Sequence, residues 1–114
     1  MIYYTPELLE AGYGWAVILI YICFQPAIFE EIAFRGIIQE SLYGYMNTKE
    51  SILLTAILFS ILHLSAISFF PFFLVGLMTG LLRLKSKSLL PGMIAHFVHN
   101  LWVVLFEMVL YPVS

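Results

Sequence analysis

The chain has 114 residues, 62% of them hydrophobic and 11% charged, with a formal net charge of −2. Soluble domains carry about a quarter charged residues, and a chain this small has too little polar surface to cover so much apolar bulk in water. The composition therefore excludes an ordinary soluble fold, and without a basic patch it excludes nucleic acid as a partner; a single domain over residues 1–114, embedded in lipid, fits it best.

The first residues lack a basic cluster, and no A-x-A-like cleavage site follows the apolar run, so the N-terminus does not read as a signal peptide. Nor does the other end read as a CaaX box. Thr5-Pro6-Glu7 predicts a helix start: a hydroxyl cap, a proline in the first turn, then an acid. Gly12 and Gly14 interrupt that short helix, which is expected to lie at the membrane surface. From Trp15 to about Tyr45 runs one long apolar stretch, where Pro26 removes a backbone donor and predicts a kink. Cys23, inside this run, reads as a packing residue and says little about redox compartment. The part after the kink carries Glu30, Glu31, Arg35, Gln39 and Glu40, and is less apolar than a plain lipid-facing span.

Asn47 followed by Glu50 resembles a capping box and opens a second span over 51–65, short enough to leave His63 well inside the membrane. A turn is expected over 68–71, then a third span over 72–84. There Gly76 and Gly80 stand in GxxxG spacing, which permits close helix approach within the chain or between copies. Arg83, Lys85 and Lys87 cluster in the next loop, and Pro91 opens a fourth span ending near Tyr111. The expected fold is thus an all-α, membrane-embedded bundle of four main transmembrane helices plus a short N-terminal interfacial helix. The positive-inside rule places loop 83–87 and Lys49 in the cytoplasm, with residues 65–70 and the N-terminus outside.

Glu30 and Glu31 are the sharpest chemical feature. Carboxylates inside a bilayer are costly, and they tend to be paired, cavity-lining and functional. Glu31 and Arg35 lie four apart on one helical face and can neutralise each other. Glu30 points about a hundred degrees away and must look outside its own helix. In low-dielectric surroundings such a carboxylate can serve as a general base. A purely structural pair of acids, held by Arg35, is the alternative. His63 closes Phe59-Ser60-Ile61-Leu62-His63, on one face with Phe59; a lone histidine here is either a hydrogen-bonded structural group or part of a site. His96 and Asn100 share a face, with His99 about sixty degrees off it. His96 with Asn100 could donate hydrogen bonds to an oxyanion; His96 with His99 could instead bind metal, though no HExxH pattern supports that.

Depth connects these groups. Glu30 lies about 14 residues from the expected cytoplasmic end of its span, His63 about 12, and His96 to Asn100 about 6 to 10. At about 1.5 Å per residue all fall roughly 10–20 Å below that surface. Polar groups from three spans at one depth point to one buried site.

Together the three motifs resemble the CPBP family, the CAAX-processing proteases and bacteriocin-processing or self-immunity proteins also called Abi. Its pattern is EExxxR, FxxxH and HxxxN; here these read Glu30-Glu31-Ile32-Ala33-Phe34-Arg35, Phe59 to His63, and His96 to Asn100. The resemblance covers roughly residues 20–110. It implies a glutamate-dependent intramembrane endopeptidase of a prokaryotic cytoplasmic membrane, acting on a prenylated CAAX-type or leader peptide. Glu30 with His63 would activate water, His96 and Asn100 would stabilise the oxyanion, and Glu31, Arg35 and Phe59 would shape the site. His99 is outside the pattern and reads as a supporting residue. No cofactor is favoured; zinc, if present, would take Glu30, His63 and His96. Membrane lipids, the peptide substrate and further helices or self-association are the implied partners. Family proteases usually carry additional spans around such a core, so the chain could be a fragment, a minimal member or a subunit. A non-proteolytic immunity or scaffold protein, and a proton- or metal-handling membrane protein, are the rival functions.

Overall fold

The computed structural model describes residues 4–62 and 69–110. Over them the chain is all-helical, without strands, as expected. We number the helices α1 (Tyr4–Glu10), α2 (Trp15–Leu42), α3 (Thr48–Leu62), α4 (Phe69–Ser86) and α5 (Leu90–Leu110). Among the described residues two of them, α2 and α5, are long and apolar enough to cross a membrane. His63 lies outside the described residues.

The helix ends follow local chemistry, with three departures from expectation, one being that Arg83 and Lys85, expected in a loop, form part of the last turn of α4. Glycine 12 adopts φ +93°, and the amides of Gly12 and Tyr13 donate to the carbonyls of Leu9 and Leu8, each at 3.0 Å. This left-handed cap ends α1 where the glycines predict. Its start differs. The Thr5 hydroxyl has no hydrogen-bond partner among the described residues; instead the Thr5 amide donates to Glu107 Oε2 on α5, at 3.2 Å. A carboxylate from another helix supplies the cap. At α3 the reading holds: Asn47 Oδ1 accepts from the Glu50 amide at 2.8 Å. The turn expected over 68–71 is not one throughout, because Phe69, Phe70 and Pro71 already belong to α4. A proline is tolerated in a first turn, where its missing N–H would have had no intrahelical acceptor.

Helix α2 is not uniformly α-helical. It widens into π-turns over Leu19–Phe24 and Ile32–Ile38. At their ends the amides of Gln25 and Gln39 reach back five residues, to the carbonyls of Ile20 and Phe34. The first widening sits just before Pro26, which cannot donate to the turn above it. The second sets the register of the site. In an α-helix, residues four apart rotate by about 40° per step. The wider turn limits that drift, so Glu31, Arg35 and Gln39 all point into the bundle and are buried.

Helix α4 receives that polar line. Arg35 Nη2 donates to the Gly76 carbonyl at 2.9 Å, and one turn on Gln39 Nε2 donates to the Gly80 carbonyl at 3.2 Å. The same glycines admit α3: a Cβ at Gly76 would come within 3.1 Å of the Ala56 Cα, and one at Gly80 within 2.9 Å of an Ile52 methyl. The GxxxG pair therefore serves contacts within the chain, between α3 on one side and α2 on the other. Helix α5 packs along α2 in the opposite sense, with Glu31 beside His96 and the Cys23 carbonyl beside Asn100. Ile18, Cys23 and Val104 form the apolar cluster beyond, covered by Leu8 and Leu9 of α1.

Candidate active site

The site is built where α2, α3, α4 and α5 meet. On α2, Glu31 is 1% exposed, and its Oε1 lies 3.3 Å from Arg35 Nη1, which is equally buried. The expected four-apart pair is present. Arg35 is fixed from two more directions: the Gly76 carbonyl holds Nη2, and the guanidinium lies over the Phe59 ring, 4.7 Å from its centroid. A buried cation is costly unless such partners surround it.

His96, on α5, is 1% exposed and stands between the two glutamates. Its Nδ1 is 2.8 Å from Glu31 Oε1, and its Nε2 is 3.1 Å from Glu30 Oε2. Glu31 thus bridges Arg35 and His96, where helical spacing alone assigned it to Arg35. The two acids differ in access: the Glu30 side chain is 34% exposed, against 1% for Glu31. Glu30 is partly open at the surface of the bundle, and Glu31 is closed within it.

Phe59 is the aromatic hub. Its ring meets His96 edge-on at 5.5 Å between centroids, Phe34 at 5.2 Å and Phe72 at 5.9 Å. One ring therefore braces both Arg35 and His96. His99 packs edge-to-face on Phe72, 5.7 Å between centroids. Asn100, one turn from His96, donates from Nδ2 to the Cys23 carbonyl at 3.1 Å, inside the first π-turn of α2. Nδ2 carries a second hydrogen, which that bond does not use.

Residues 12–102 match the family model described as type II CAAX prenyl endopeptidase Rce1-like. The chain belongs to that family. No curated protein and no solved structure matches it. The Rce1-like family is one of membrane-embedded proteases, and the CAAX-processing resemblance carried by the three motifs is the one the family model finds. The matched stretch contains all three motifs, including His63, and also Gln39, Gly76 and Gly80.

Of the expected site residues of this Rce1-like chain, the structure brings together Glu30, Glu31, Arg35, Phe59 and His96, and places Asn100 one turn further along α5. Among the described residues no group of three or more His, Cys, Asp or Glu is arranged to hold a metal ion. The zinc set Glu30, His63 and His96 turns on His63. Two buried polar residues take roles that local sequence does not give. From the sequence Gln39 reads only as lowering apolarity. Glu107 carries one signal: it is a lone acid in an apolar run at spacing His96, Asn100, Val104, Glu107, which is one helical stripe.

Proposed function

We propose that the chain is a glutamate-dependent intramembrane endopeptidase that hydrolyses a CAAX-type prenylated peptide or a leader peptide. The observation that carries this reading is Glu30: a partly exposed carboxylate held 3.1 Å from Nε2 of a buried histidine, in a chain of a membrane protease family.

The chemistry needs a base, an oxyanion donor and a proton route. Glu30 takes a proton from water, whose oxygen forms a bond to the scissile carbonyl carbon. The carbonyl electrons move to oxygen, and donors fixed in advance stabilise that charge more than mobile water would. His96 and Asn100 are the proposed donors, and His63 the proposed partner of Glu30, by family resemblance. Collapse of the tetrahedral species breaks the C–N bond, and the proton held by Glu30 passes to the departing nitrogen. Water is added across one peptide bond, and no redox partner is needed.

We further propose that α3 and α4 complete a four-span bundle with α2 and α5, in a prokaryotic cytoplasmic membrane, with the site open to the cytoplasmic side. The basic residues Arg83 and Lys85 in the last turn of α4, with Lys87 just beyond it, support that orientation. Membrane lipids and the peptide are the partners this reading needs, and hydrolysis without a bound metal is part of it.

The test is incubation of the full chain in nanodiscs with a farnesylated CaaX peptide and, separately, an unprenylated leader peptide, each with and without chelator. Release of a new C-terminal peptide that survives chelation supports the proposal. Loss of cleavage on chelation, restored by zinc, moves the mechanism to a metal. No product from either peptide removes the protease reading in favour of an immunity or scaffold role.

A further inference from the structure

We propose that the seam between α2, α4 and α5 binds water, in a file that starts on Glu31 Oε2, passes Arg35 and Gln39, and opens beside Tyr43. The file keeps the buried Glu31–Arg35 pair hydrated, and it holds whether or not the chain is a protease.

Helix α2 is apolar outside and polar within. Phe29, Ile32 and Ile37 stand exposed on its outer surface, while Glu31, Arg35 and Gln39, one turn apart, are at most 1% exposed. Each of these three keeps a side-chain atom without a hydrogen-bond partner among the described residues: Glu31 Oε2, Arg35 Nε and Gln39 Oε1. Buried polar atoms are nearly always partnered, by protein or by ordered water. Over residues 31–39 these atoms are spread along about 12 Å of helix, more than one water molecule covers.

The facing helices bring further acceptors and little bulk. A Cβ at Gly92 would meet Glu31 Oε2 at 3.2 Å and the Thr79 carbonyl oxygen at 3.7 Å. Two acceptors thus converge on one buried glycine, and a water there donates to both. The fully buried Thr79 hydroxyl does not serve, because it donates to the Val75 and Gly76 carbonyls, 2.9 and 3.2 Å away. Glu31 Oε1 is occupied by His96 and Arg35, so water on Oε2 completes the carboxylate. Towards the end of α2, Gln39 Nε2 donates to the Gly80 carbonyl and to the Tyr43 hydroxyl, at 3.2 and 2.7 Å, which leaves Oε1 to accept. Tyr43, half-buried just past α2, marks the open end.

The mixture of groups selects water. An anion would meet the Glu31 carboxylate, and a cation the Arg35 guanidinium. Water donates to Oε2 and Oε1 and accepts from Nε, and a buried water needs two to four such partners.

Water-edited solid-state NMR of the full 13C-labelled chain in lipid bilayers tests this. At short mixing times, magnetisation from water should reach Gly92 Cα, Thr79 Cβ and Gln39 Cγ. It should miss Ala56 and Val104, which are fully buried and apolar. Gly92→Ala sets a methyl between the two acceptors and should abolish the transfer to Thr79 while that to Gln39 persists. Gln39→Leu lies between the pair and the open end and should abolish the transfer to both Gly92 and Thr79. In the unsubstituted chain, transfer to Gly92, Thr79 and Gln39 as weak as to Ala56 and Val104 overturns the proposal. So does an unchanged Thr79 signal in whichever variant folds. Absence of peptide cleavage, with the water transfer intact, overturns only the protease reading.

Discussion

Arg35 donates to the carbonyl of Gly76, 2.9 Å away, while its other terminal nitrogen lies 3.3 Å from Glu31. One guanidinium thereby ties α2 to α4 and holds the acid behind His96. Lysine has a single ammonium that cannot span both partners in a fixed fork. Arg35→Lys is expected to lower stability to SDS or heat by about 3–5 kcal/mol, the usual cost of breaking a buried pair. It should also reduce cleavage. A variant as stable and active as the parent would show that the fork does not matter.

The two GxxxG glycines face neighbours inside the chain. Gly80→Val places carbon within 2.9 Å of both Ile52 and the Gln39 amide oxygen, and overpacking of this kind costs about 1–3 kcal/mol. Gly36→Ala is the contrast, since its nearest neighbour is a Leu89 methyl at 3.4 Å; it should be neutral. Denaturation of the two variants in the same detergent checks this. Equal stability would contradict the packing described here.

How much of this was legible in advance depends on which physical rule governs each residue. The Glu31–Arg35 pair is local, and four-residue spacing finds it. The meeting of Glu30 with His96 is long-range, and only the crude depth count brought the motifs to one level. That His96 would lie between the two acids was not legible, because it depends on the rotation of α5 about its axis and on the π-turn over Ile32–Ile38. A π-turn has no sequence signature beyond a nearby proline, and the second one lacks even that. At the start of α1, Thr5, Pro6 and Glu7 form a good local capping signal, but the Thr5 amide donates to a carboxylate 102 residues away, which no local pattern encodes.

Asn100 joins α5 to the π-turn before Pro26 through the Cys23 carbonyl. Asn100→Leu removes that donor, at a cost of about 0.5–1.5 kcal/mol. Cys23, fully buried and the chain's one cysteine, reports on it. A small maleimide should label Cys23 slowly in the parent and faster in Asn100→Leu. Equal labelling would mean that the bond does not hold the two helices together.

Glu107 docks α1. Glu107→Leu leaves the Thr5 amide without its acceptor, while Glu107→Gln keeps an oxygen there. A hydrogen bond to a charged group contributes about 1.5–3 kcal/mol, so exchange at the Thr5 amide should rise about 10–100-fold in the leucine variant and much less in the glutamine one. Identical protection in both would place the docking of α1 in its apolar contacts with α5.

The central claim is that Glu30 is the base, and the most direct measurement is cleavage by Glu30→Gln beside the unsubstituted chain, both in nanodiscs, with thermal unfolding recorded on the same samples. We expect unfolding to match within the error of the measurement and turnover to fall by about 10²–10⁴-fold, because the amide cannot accept a proton from water. A folded Glu30→Gln protein that cleaves at the parent rate would contradict the account.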